Sequence, residues 1–237
     1  MVDAINYSYI ISIVNEEFDK LPISSICFDS VDPISSYSMQ KINSKINKHT
    51  IIGILFCQPS IKFVQNEILP SLDYLHHRSG DNINFLCCGY GAYWQPENEN
   101  VVITIDGVKW SFDNKSFISI IEEFEQSTKW RYSGETELLL LDIIPSTNNE
   151  LNIKNAIVCN LELMYKDKAF TSSRAFFENL IRYFTNSKNK SLLAYSDTKG
   201  ISQGLEFLKN SILDNLPFKL KNLYNSTKSY AIKDIKK

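Results

Sequence analysis

The stretch Thr50–Gly91 constrains the fold more than any other part of the chain. Thr50–Phe56 (TIIGILF) is apolar almost throughout and has the length of a strand, the pattern expected of a strand covered on both faces. After Cys57-Gln58-Pro59-Ser60, apolar residues recur at Ile61, Val64, Ile68, Leu72 and Leu75, which is one stripe of a helix. The run 79–82 breaks that helix, and 83–88 (INFLCC) is the next strand. Pro70 falls inside the helix and removes one backbone hydrogen bond. It is expected to kink the helix without ending it, because the stripe continues beyond.

Around this unit the same patterns repeat. Residues 4–20 predict a helix with Ile5, Tyr9, Ile13, Val14 and Phe18 on one face, ended by Leu21-Pro22. A short strand is expected over 24–31, then a weaker helix from Pro33 towards Lys48. Val101–Phe112 (VVITIDGVKWSF) predicts a β-hairpin about Asp106-Gly107, a pair suited to a type I′ turn. Its apolar face is Val101, Ile103, Ile105, Val108, Trp110 and Phe112. Asp113 or Asn114 can cap a helix to about Ser127. Thr136–Ile144 (TELLLLDII) is a strand buried on both faces, and 156–164 (AIVCNLELM) alternates as the next; these two are expected to be antiparallel neighbours. Helices follow over 172–184 and 200–216, and the lysine-rich remainder is expected to be mobile. Helices alternating with buried strands place the chain in the α/β class.

Composition narrows the function classes. The 237 residues are 43% hydrophobic and 22% charged, as in ordinary globular domains, and argue against disorder. A net charge of -2 predicts no general affinity for nucleic acid or an anionic membrane. No run approaches the roughly 20 apolar residues of a membrane span. Met1-Val2-Asp3 opens without a basic region, so no signal peptide is expected. Five cysteines (Cys27, Cys57, Cys87, Cys88, Cys159) with no repeating spacing predict reduced thiols and a cytoplasmic protein. Richness in Ile, Asn, Lys and Ser points to an AT-rich gene of bacterial type.

From 24 to 186 the order of elements resembles the thioredoxin fold. Two local patterns carry the resemblance. Phe56-Cys57-Gln58-Pro59-Ser60, between a buried strand and a Pro-containing helix, is similar to a Cys-X-Pro-Cys site with Ser60 in place of the second cysteine. Lys129–Thr136 (KWRYSGET), ahead of the leucine-rich strand, falls where the family carries a loop ending in a cis-proline, here absent. The resemblance implies a thioredoxin-like mixed β-sheet flanked by helices over 23–190. To this are added an N-terminal helix in 1–22, an inserted hairpin over 101–112, and a C-terminal helix with a basic tail over 191–237. It also implies that a dithiol cycle within the motif is impossible.

Cys57 is the sharpest candidate for chemistry. The resemblance puts its sulfur at a helix N-terminus, where the dipole lowers a thiol pKa. One thiolate there, with Ser60 beside it, supports mixed-disulfide or glutathione-linked chemistry. The competing reading is a small apolar residue closing a strand. His76 and His77 are no base for Cys57, because a helix of about 28 Å separates them. No metal site is expected, since adjacent histidines point about 100° apart and no Cys or His stands at ligand spacing. Cys87 and Cys88, neighbours in a strand, face opposite sides. Tyr90, Tyr93, Trp94, Trp130 and Tyr132 come from two loops and can form an aromatic recognition surface or pack as core. Glu135, near Cys57, would oppose a thiolate.

Two functional expectations lead, with a ligand-binding sensor using Tyr93, Trp94 and Trp130 as a third. One is a binding or scaffold subunit that has lost dithiol catalysis and acts through another protein, with no cofactor, in a bacterial accessory system such as anti-phage defence. The other is a single-thiol oxidoreductase or glutathione-dependent transferase using Cys57. Neither involves specific nucleic acid or a membrane.

Overall fold

The computed structural model describes residues 4–20, 50–79, 83–92, 101–146, 150–191 and 232–235. The strand expected over 24–31, the helices after Pro33 and over 200–216, and Tyr93 and Trp94 lie outside them.

Among the described residues, the molecule is a mixed α/β structure built on a five-stranded sheet. In chain order the strands are β1 (Thr50–Phe56), β2 (Asn84–Cys87), β6 (Glu137–Ile144), β7 (Asn152–Asn160) and β8 (Ile232–Asp234). They lie side by side as β2-β1-β6-β7-β8. β1 and β2 are parallel, and every other pair is antiparallel. A second sheet of three strands holds β3 (Tyr90–Ala92), β4 (Val101–Ile105) and β5 (Val108–Phe112), with β5 in the middle.

The alternation of side chains along the central strands divides the interior in two. Leu55, Leu138 and Leu140 face one core, together with the helix after β1 and α5 (Ser173–Ser191). Ile52, Ile54, Phe56, Leu139 and Leu141 face the other, against α1 (Tyr7–Lys20) and α3 (Asn114–Ser127). This is why β1 and β6 read as unbroken apolar runs: each side of the sheet has its own layer of helices. Gly53 belongs to this packing. A Cβ there would stand 2.5 Å from Phe85 Cδ1, and the Phe85 ring itself meets Phe177 edge-on at 5.2 Å.

The helix after β1 accommodates Pro70 by a specific device. A π-turn over Val64–Ile68 runs directly into α2 (Leu69–Arg78), and Pro70 lies in the first turn of α2. The Leu69 N–H reaches back to the Val64 carbonyl. The widened turn makes room ahead of a ring that would otherwise press on the preceding turn. Ser71 Oγ donates to the Glu67 carbonyl at 2.7 Å and covers part of the disrupted ladder. Glu67 in turn accepts from the Ser173 N–H at the start of α5, at 3.2 Å. Further along, Glu178 of α5 is held by Arg78, Arg182 and a short hydrogen bond from Tyr74.

The hairpin turns at Asp106-Gly107 with φ of 50° and 76°, both positive as a type I′ turn requires. Its apolar face differs from the simple alternation at one residue. A register shift between Val101 and Ile103 pairs Val101 with Ser111 and leaves Val101 exposed, while Ile103, Ile105 and Trp110 pack inward.

Three further boundaries differ from expectation. Ile5, Val14 and Phe18 are buried as expected, but in α1 Tyr9 is 40% exposed and Ile10 and Ile11 lie inside in its place. β7 ends at Asn160, and Leu161–Met164 opens a short helix, α4 (Leu161–Lys166), because Asn160 caps it by accepting from the Leu163 N–H at 2.9 Å. The lysine-rich tail returns to the sheet as β8. There Ile235 is buried, its N–H donates to the Ala156 carbonyl, and its carbonyl accepts from the Lys129 N–H. A lysine on an edge strand is ordinary, because charge there discourages further pairing.

Candidate functional site

The C-terminal end of β1 brings together most of the described residues that the sequence singles out. Cys57 follows Phe56 and is wholly buried. Its carbonyl accepts from the Tyr90 hydroxyl at 2.8 Å, and the Cys87 thiol lies beside its own. The contact follows from register: Cys87 pairs with Leu55 on the adjacent parallel strand, and Cys57 lies two residues on, on the same face. Burial pushes the Cys57 thiol well above its ordinary pKa, and the Cys87 thiol pushes in the same direction. The Tyr90 hydroxyl acts the other way and is outweighed.

The helix dipole does not rescue ionisation here. Helical structure begins at Lys62, beyond a turn at Pro59-Ser60 in which the Ile61 N–H donates to the Gln58 carbonyl. Gln65 Nε2 closes the same turn on the Pro59 carbonyl at 2.9 Å. Ser60 is exposed on this turn, while Cys57 is inside. The expected thiolate at a helix end is thus replaced by a neutral thiol under the turn.

The aromatic residues also lie further inside than a recognition surface requires. Trp130 is 2% exposed and Tyr90 1%. Phe56 stacks on Trp130 at 4.6 Å and lies 6.0 Å from Tyr132, and Phe117 approaches Phe56 and Tyr132 edge-on. Tyr132 is half-buried and its hydroxyl is enclosed; burial first, and then the Glu137 carboxylate, push its phenol above the ordinary value. Tyr90 and Trp130 therefore correct the expectation of a surface: both are core.

Glu135 stands apart from Cys57's thiol network. It accepts from Asn160 Nδ2 at 2.7 Å and pairs with Lys166 at 3.1 Å, tying the loop to the start of α4. The acidic residue inside is Glu137. It pairs with Phe56 across the sheet, is 5% exposed, and accepts from Trp130 Nε1 at 3.0 Å. Burial raises its carboxyl pKa, against the hydrogen bonds from Ser133 and Trp130 that lower it. The signal for this pair is present in the sequence. A glutamate opening a strand buried on both faces needs a donor, and the nearest tryptophan precedes it in the same loop.

A second polar grouping lies away from this end of the sheet. Asp73 and His77 on α2 meet Asp106 of the hairpin turn with their ligand atoms all within 4.8 Å of one another. Asp73 and His77 have helical i,i+4 spacing, but the sequence gives no sign that Asp106 would join them. Among the described residues no helix is long and apolar enough to cross a membrane. Compared with protein-family models, curated proteins and solved structures, the chain matches none.

Proposed function

We propose that this chain is a thioredoxin-like protein that has given up thiol chemistry and acts by binding another protein, as a scaffold or accessory subunit. The order β2-β1-β6-β7 supports the fold part of this reading. β1 and β2 are parallel, β6 and β7 are antiparallel, and helices follow β1, precede β6 and follow β7. The observation that carries the functional part is the sealed Cys57 thiol. A nucleophilic cysteine needs access and thiolate character. Cys57 is buried, its pKa is raised, and the position of a second cysteine holds Ser60.

Binding then falls to residues left outside. Tyr9 on α1 and Ile118 on α3 are large apolar side chains 40% and 45% exposed, on the helices that cover the same face of the sheet. The test has two parts. Alkylation of Cys57 is followed by mass spectrometry from pH 6 to 10, with Cys57→Ser as control. The expected result is reaction only at the rate of unfolding. A fast reaction with a midpoint below the free-thiol value of about 8.5 would overturn the loss of chemistry and restore the single-thiol oxidoreductase or transferase. Tagged full-length chain is then isolated from its native host. A stoichiometric protein partner whose retention drops in Ile118→Glu is expected; a chain that stays monodisperse and alone removes the scaffold role.

A further inference from the structure

His77 lies between two carboxylates that belong to different parts of the fold. Its Nε2 is 3.7 Å from Asp73 Oδ1, one helical turn back, and 3.2 Å from both Oδ1 and Oδ2 of Asp106 at the hairpin turn. All three side chains are more than half exposed, so the group opens to solvent. The neighbouring cation, Arg78, is already engaged by Glu178 at 3.2 Å.

His77 Nε2 carries at most one hydrogen and so satisfies one carboxylate at a time. The second carboxylate then adds like charge at short range, with a repulsion on the order of 1 kcal/mol even in water. A cation among the three relieves both carboxylates at once. Ligands bound at about 2.1 Å around one ion stand roughly 3.0–3.4 Å apart; here the carboxylates stand 3.2 and 3.7 Å from Nε2, and the three ligand atoms all lie within 4.8 Å of one another. Exposed aspartates can make up the remaining difference by rotamer changes alone.

We infer that Asp73, His77 and Asp106 form an exchangeable site for a first-row divalent cation, Zn²⁺ by preference, clipping the hairpin turn to α2. One imidazole with two carboxylates suits Zn²⁺ over Mg²⁺, because the nitrogen ligand favours the softer ion. Three protein ligands leave a position for water.

The full chain is titrated with ZnCl₂ by calorimetry, with MgCl₂ as the control. In parallel, Mn²⁺ is added to the labelled protein and amide line broadening is mapped, since Mn²⁺ favours oxygen and imidazole over thiols. The expected result is one saturable Zn²⁺ site whose affinity falls at least about ten-fold in His77→Ala and in Asp106→Asn, with Mn²⁺ broadening centred on 73, 77 and 106. Asn tolerates the positive φ of position 106, so the second variant keeps the turn. Zn²⁺ is also expected to raise the Tm of the parent and not of His77→Ala. Absence of saturable binding would overturn the site and leave His77 as a hydrogen-bonded tie. Binding that is unchanged in both variants would overturn it too, by placing the ion elsewhere on the chain.

Discussion

The chemistry of single residues near the end of β1 is governed by burial, and that makes it testable by pH. Cys57, Cys88 and Cys159 are all buried with their thiols raised, Cys159 to about 12. The unfolded chain ionises these groups from about pH 8.5, while the folded chain holds them neutral. The folded state therefore binds more protons there, and stability falls as pH rises beyond about 8.5, by up to about 1.4 kcal/mol per pH unit for each thiol. Cys159→Ala is expected to reduce the slope of ΔG against pH by one thiol's share, as measured by urea unfolding between pH 8 and 10. Glu137 carries the same sign at lower pH. Its folded pKa is raised, so ionisation penalises the fold only above the unfolded value of about 4.3. Glu137→Gln is expected to raise Tm at pH 7 and to leave it unchanged near pH 4. Trp130→Phe removes the Nε1 donor to that buried carboxylate and is expected to cost about 1–3 kcal/mol at pH 7 in the same unfolding assay.

At the scale of elements, caps and close approaches decide where each piece begins and how tightly it packs. Asp113 starts α3 by accepting from the Lys115 and Ser116 N–H groups. Partial burial raises its pKa, yet the hydrogen bonds from Ser116 and Lys115 prevail and lower it. Asp113→Ala is expected to destabilise by about 1 kcal/mol at neutral pH. The loss should shrink as pH falls through the depressed pKa, because the protonated parent loses the same advantage. Gly53→Ala tests the approach of β1 to Phe85. With Phe177 behind that ring, repacking is expected to cost about 1–3 kcal/mol, read from the urea midpoint. These elements also show what the sequence reveals. β1, β6, the Asp106-Gly107 hairpin and the Asp113 cap are legible because local chemistry alone specifies them. The end of β7 is hidden, since AIVCNLELM keeps alternating through Asn160 while the Asn side chain redirects the backbone into α4. β8 is hidden because three residues carry too little pattern, and only the edge of β7 gives them a place.

For the whole molecule, the two cores explain why the candidate site was only half legible. Sequence identifies the aromatic loop Lys129–Thr136 and the cysteine after β1, and both do meet at one end of the sheet. Their depth is a property of the assembled layers. Trp130 packs on Phe56 and Tyr90 on Phe112, residues from two other segments, so no local pattern distinguishes a lid from a core. The clustering of Asp106 with α2 is legible only after the two sheets are assembled. The central position of β6 has a further consequence, for synthesis. Leu138–Leu141 is a run of four leucines that is safe only when β1 and β7 occupy both its edges. β1 has already been made when β6 emerges, but β7 follows it, so for a short interval one edge of the stickiest strand is open to another chain. Asn155→Pro, in β7 beside that edge, is expected to shift freshly made protein from the soluble fraction into inclusion bodies. The partition should recover at lower expression temperature if the hazard lies in the nascent chain.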